Sequence, residues 1–234
     1  LVDTDKPINV NLREGQLPTP YQYSGFSYKL DSIQSVIDLI NRRGSAEKTF
    51  LFVDDEGVQV ILDDSILDRP KDTARYGYEL SLDYKEWKDI LGRLVGQKDF
   101  IDFLKRRPEG QLEGLDYLLA AIQKLKLATE ITGDYDFEDR NNMTVAFKVK
   151  DVEGSSTLPK VLTVTMPLIF GSEYVPPMEV ELEFRKPRAE NEKPTFVLTM
   201  PKFDRYWQEA VDYEIKKLKD ALLGYCILYG RGLK

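Results

Sequence analysis

Between Thr144 and Met200 the chain alternates apolar and polar residues through four successive runs: Thr144 to Lys150, Lys160 to Phe170, Met178 to Lys186 and Pro194 to Met200. A period of two sends every second side chain to the same face, the pattern of a strand buried on one side. Gly154-Ser155-Ser156, Pro176-Pro177 and Pro187 break the runs, and a parallel connection would need a crossover of a dozen or more residues between them. The expectation is an antiparallel meander. Met178 to Lys186 reads as an outer sheet strand, with Val180, Leu182 and Phe184 on one face and Glu179, Glu181 and Glu183 on the other.

Helical spacing dominates the preceding region. Asp31 or Ser32 is placed to cap a helix whose Ile33, Val36, Ile37 and Ile40 fall at i, i+3, i+4 and i+7, with Gly44 as its stop. Thr49 to Asp54 and Val58 to Asp63 flank Asp55-Glu56-Gly57 and predict a β-hairpin, with a further strand carrying Tyr76, Tyr78, Leu80 and Leu82. Asp83 with Glu86 has the spacing of a capping box for a helix bearing Trp87, Ile90, Leu91 and Leu94 up to Gly96. Helices follow over about 97–107 and 112–127, and a closing helix over about 203–223 precedes a short strand, Tyr225 to Tyr229.

Residues 1–29 contain Pro7, Pro18 and Pro20 and read as an extended arm. Within it Ile8, Val10 and Leu12 alternate with polar residues, and Tyr21, Tyr23 and Phe26 follow. Such an arm needs a surface to lie on, in its own subunit or a neighbour, so these six residues are candidate interface positions. The fold class expected is α+β: mainly antiparallel sheet with about four to five helices packed on one side, and an N-terminal arm. The organisation divides into the arm, a helix, hairpin and helical lobe over 30–133, and a meander with closing helix over 134–234, the last two forming one domain or two.

The chain has no histidine, which removes Ser-His-Asp and Cys-His nucleophiles, imidazole proton transfer and imidazole metal ligation. No phosphate-cradling G-x-G-x-x-G or G-x-x-x-x-G-K-[ST] loop is present. A formal charge of -7 disfavours nucleic acid and anionic membranes as partners. The lone Cys226 forbids an intrachain disulfide and reads as a buried small hydrophobe, and neither a leader pattern nor an apolar run of ~20 residues is seen, so a cytoplasmic location is expected.

Carboxylates are what remains for chemistry. The predicted hairpin would gather Asp54, Asp63 and Asp64, with Asp55 and Glu56, as a divalent cation requires, and charged residues on a solvated turn share that pattern. Asp54, Asp63 and Asp64 are thus the candidate metal ligands, and no other cofactor is indicated. Asp134, Asp136, Glu138 and Asp139 begin like a calcium loop but continue with Asp139 and Val145 where glycine and glutamate are required. Glu183 with Lys186 misses nuclease Glu-x-Lys spacing by one residue. Basic runs at Arg42-Arg43, Lys105-Arg106-Arg107 and Lys216-Lys217 with Lys219 sit near helix C-termini, where cations are favoured in any case.

Several runs resemble the phage and prophage domain of unknown function family 2303 (YfdQ-like). They are Ser32 to Ile40, Phe50 to Asp54 with Val60 to Asp63, Trp87, Gln97 to Leu104, Pro167-Leu168, and Glu181 to Arg185 with Phe196 and Gly230. The resemblance spans about 30–230 and carries no sharp catalytic motif. It implies a cytoplasmic phage-type protein of unassigned activity, with a host or phage protein as a further partner. The function expected is non-enzymatic: a homo-oligomer that acts by binding, with accessory work in phage DNA recombination or replication and a carboxylate-based, metal-dependent phosphodiesterase as the alternatives.

Overall fold

The computed structural model describes residues 24–65, 70–126, 130–132, 142–149, 152–185 and 194–232. In chain order the elements are β1 (Ser27–Leu30), α1 (Ile33–Arg43), β2 (Phe50–Asp54), β3 (Gly57–Ile61), β4 (Thr73–Gly77), α2 (Leu82–Lys88), β5 (Val95–Gly96), α3 (Gln97–Lys105) and α4 (Leu115–Lys126). There follow β6 (Glu130–Thr132), β7 (Asn142–Val149), β8 (Val152–Pro159), β9 (Val161–Thr165), β10 (Pro177–Arg185), β11 (Thr195–Thr199), α5 (Phe203–Ala221) and β12 (Cys226–Tyr229). This is an α+β fold, mostly antiparallel.

Local chemistry explains the first elements. The Ser32 hydroxyl accepts the Ser35 N–H at 3.1 Å and caps α1, whose Ile33, Val36, Ile37 and Ile40 are all buried. At Gly44 a Cβ would lie 2.7 Å from the Ile40 carbonyl oxygen, so the helix ends where its last turn and the outgoing chain touch. In the hairpin, Asp54 pairs with Gly57 across the two-residue turn Asp55-Glu56. Gly57 has φ +152, and a Cβ there would stand 2.0 Å from the Tyr76 carbonyl oxygen; only glycine fits.

Three sheets result. The first has the order β1-β4-β3-β2-β12, with β2, β3 and β4 antiparallel and both edges, β1 on β4 and β12 on β2, parallel. Leu51, Val53, Val58, Val60, Ala74 and Tyr76 are buried on its inner face, and α1 packs against β1, β4 and α5. The second, β5-β11-β10-β9, is antiparallel and buries Phe184 and Phe196, whose rings lie 5.5 Å apart, with Phe100 4.8 Å from Phe196. The third, β6-β7-β8, packs under α4. One hydrophobic cluster joins residues from all three sheets and the helices. Each large side chain removed from water there contributes roughly 1.5–3 kcal/mol.

The meander is where expectation and structure part. Its strands divide between two sheets: β9, β10 and β11 pair in one, with β5 from the helical region at the edge of β11, while β7 pairs with β6 and β8 in the other. Gly154-Ser155-Ser156 does not break a strand: it runs through β8, where Ser156 is buried and donates from its hydroxyl to the Ala121 carbonyl at 3.1 Å. The end of the expected arm is part of the first sheet, since Ser27–Leu30 forms β1. Residues 1–23 lie outside the described residues.

The strand through Tyr76 ends at Gly77, and Leu82 opens α2 and is exposed. The cap of α2 is Ser81, not Asp83; its hydroxyl accepts the Tyr84 N–H at 3.0 Å. That helix stops at Lys88, so Leu94 is exposed and Val95 enters a strand. Glu86, freed from any capping box, reaches Arg107 instead. The predicted alternation of β10 holds residue by residue: Met178, Val180, Leu182 and Phe184 are buried, and Glu179, Glu181 and Glu183 exposed.

Candidate functional surface

The outer face of the first sheet is built from two register rows. Ser27, Thr73, Ile61, Phe50 and Cys226 form one, and Lys29, Arg75, Gln59, Phe52 and Leu228 the next. The β1–β4 side of these rows is polar, as is Gln59 of β3, whereas Ile61 of β3 and the residues of β2 and β12 are apolar. Ile61, Phe50, Phe52 and Cys226 are only half-buried, Leu228 is exposed, and none of the five belongs to the core cluster or its packed margin. Cys226 is therefore a surface-facing residue, not the buried hydrophobe expected. A parallel edge strand placed this side chain beside Phe50, a pairing no local pattern announces.

The chain after β12 borders this face. The Gly230 N–H donates to the Val53 carbonyl at 2.9 Å, and Gly232 lies so close that a Cβ there would stand 3.2 Å from the Phe52 ring. Arg231 reaches back to Asp54 at 2.6 Å and to Glu56 at 2.5 Å. Between this tail and the hairpin opens a cleft of about 240 Å³, lined by Phe52, Asp54, Gln59, Arg75, Arg231 and Gly232 among others.

The hairpin does not gather the candidate metal ligands. Asp54 sits at the turn, opposite Gly57, whereas Asp63 lies beyond Ile61, which pairs with Phe50 at the open end. A rise of ~3.4 Å per residue puts those two ends roughly 14 Å apart. Each acid also has partners. Asp54 Oδ1 accepts the Glu56 and Gly57 N–H groups at 2.8 and 3.1 Å. Burial pushes the Asp54 carboxyl up, but those bonds and Arg231 outweigh it and hold the group below its ordinary value. Asp63 accepts from the Ser65 N–H at 2.9 Å, and Asp64 pairs with Lys71.

Glu183 belongs to the second sheet and pairs with Arg185 at 2.8 Å, whose hydrogen bond lowers its carboxyl pKa. Among the described residues no three acids or cysteines converge as a metal site would require. The acidic run from Asp134 to Asp139 lies outside the described residues, as do Ile8, Val10, Leu12, Tyr21 and Tyr23. Phe26 is described: it is 55% exposed, and its N–H donates to Asp72 Oδ1 at 2.8 Å. Nor do the basic runs form a track. Arg43 pairs with Asp72 at 3.5 Å, and the Arg107 side chain is 2% exposed, 4.2 Å over the Phe103 ring.

A buried polar group escaped the sequence reading altogether. Glu214 on α5 is 0% exposed; its Oε1 accepts the Ser172 hydroxyl at 2.6 Å, and its Oε2 has no protein partner. The Tyr78 hydroxyl is likewise buried without a partner, and burial followed by the Glu214 charge raises the pKa of both Tyr76 and Tyr78. The only sequence signal was a glutamate between Val211 and Ile215 on the apolar stripe of α5.

No helix among the described residues is long and apolar enough to cross a membrane. Compared with family models, with curated proteins and with solved structures, the chain has no match.

Proposed function

We propose that this is a non-enzymatic binding protein, of the phage-type kind its resemblance implies, that assembles with copies of itself through the outer face of the five-stranded sheet. The observation that carries the reading is the apolar part of that face, Phe50, Phe52, Ile61, Cys226 and Leu228, which lies outside the core, with Leu228 exposed and the other four only half-buried. Interface centres are apolar and aromatic in this way, with charge confined to the rim, and here the charged residues Lys29, Arg75 and Arg231 lie beside the patch. Residues 1–23 contribute to the contact between copies.

Light scattering of the purified chain tests this. The parent is expected at a multiple of the chain mass, with Phe52→Lys and a deletion of residues 1–23 each lowering it while circular dichroism stays unchanged. A parent that runs as one chain, or an assembly indifferent to both changes, overturns the proposal.

A further inference from the structure

Two buried oxygens beneath the first sheet, Glu214 Oε2 and the Tyr78 hydroxyl, have no hydrogen-bond partner among the described residues. Their chemistry is complementary, since a carboxylate oxygen accepts and a phenol both donates and accepts. Leaving either one unpaired in the interior is costly, and buried polar atoms of native proteins are bonded in the large majority of cases to protein or to ordered water.

Three elements converge on these atoms. The Ser172 hydroxyl donates to Glu214 Oε1 at 2.6 Å, which holds the α5 carboxylate beside the turn 169–172. That turn is closed by the Ser172 N–H on the Ile169 carbonyl at 3.2 Å, and the Tyr76 hydroxyl reaches its Phe170 carbonyl at 3.4 Å. The Tyr78 ring, just past the end of β4, packs edge-on against Tyr76 with 5.5 Å between centroids. Burial, then the charge of Glu214, raises the Tyr78 hydroxyl, with Asp54 and Tyr229 weaker influences. A divalent cation would need several oxygen ligands rich in carboxylate. Here Lys217, paired with Glu173 at 2.9 Å, already sets a positive charge near Glu214.

We infer that one water molecule is bound between Glu214 Oε2 and the Tyr78 hydroxyl, donating to the carboxyl group and accepting from the phenol, and that it ties α5 to the end of β4. Two polar partners are enough to hold a buried water. A single water bond engages only part of the accepting capacity of Oε2, so ionising Glu214 in the core remains costly. The inference concerns the interior and stands apart from the assembly reading.

Tyr78→Phe removes one end of the bridge, and the sign of its effect is the test. With the water bound, the urea midpoint near neutral pH is expected to fall. In a Glu214→Met background, where the other end is already gone, the same change is expected to leave the midpoint unmoved. A hydroxyl buried without a partner would be relieved by its removal, so a rise in the midpoint overturns the inference, as do equal shifts in both backgrounds. A high-resolution crystal structure of the parent is a second readout that does not depend on the variants folding. Density for one water within ~2.7–3.2 Å of both oxygens is expected. A direct bond between the two side chains, a metal ion between them, or no density there overturns the inference.

Discussion

Replacing Glu214 by glutamine takes a charge out of the interior while keeping the shape and the oxygen that accepts from Ser172. Burial raises the Glu214 carboxyl above its ordinary value of 4.5; the Ser172 hydrogen bond and Lys217 oppose this, and Glu173 adds to it. The folded chain thus binds this proton more tightly than the unfolded chain. The stability it contributes is full below pH 4.5 and is lost as the pH climbs through the folded value. Above that value an ionised oxygen without a protein partner sits in the core, a penalty of about 1–3 kcal/mol. Glu214→Gln should therefore be more stable than the parent at pH 8 by about that amount, roughly 2–10 °C in Tm for a domain of this size. Near pH 4.5 the two proteins should converge. Urea and thermal denaturation at both pH values measure this. A variant weaker than the parent at pH 8 would show that the buried carboxylate is stabilised in its charged form, and the same difference at both pH values would show that its protonation is not linked to folding.

Two further substitutions probe the frame around the surface. Gly57→Ala puts a methyl group against the Tyr76 carbonyl oxygen at a φ of +152, and should cost about 3 kcal/mol or more in urea denaturation; a loss below about 1 kcal/mol would refute the close-approach argument. Glu86→Ala strips the buried Arg107 guanidinium of its carboxylate while Nη1 already lacks a partner. A loss of about 1–3 kcal/mol is expected, against a clearly smaller loss for Glu209→Ala in the exposed pair with Arg205. Equal losses would mean that the burial of Arg107 carries no energetic weight.

Elements whose instructions are local were legible in the chain: the Ser32 cap with its i, i+3, i+4, i+7 stripe, the turn before Gly57, and the alternation of β10. The parallel pairings of β1 with β4 and β12 with β2 were not, because partners so distant in sequence leave no periodic mark on one another. The same limit governed the site. Residue types singled out Asp54, Asp63 and Asp64, but hairpin register decides which acids meet, and it set Asp54 and Asp63 at opposite ends. The patch had a usable signal that passed unread. Phe50-Leu51-Phe52-Val53 is apolar at every position, which marks a strand with something to cover on both faces. Glu214 illustrates the converse, since a helix stripe reports which way a side chain points but not whether a partner awaits its second oxygen.

The parallel pairing of β12 with β2 also bears on biosynthesis. A ribosome releases β2, β3 and β4 early, and for most of translation β2 has an unmatched row of N–H and C=O groups along the margin that Cys226–Tyr229 finally occupies. Nascent chains on one polysome hold such margins close together, and unpaired margins of this kind recruit strands from other molecules. Chain termination before Cys226 should thus yield aggregates rather than a smaller soluble product.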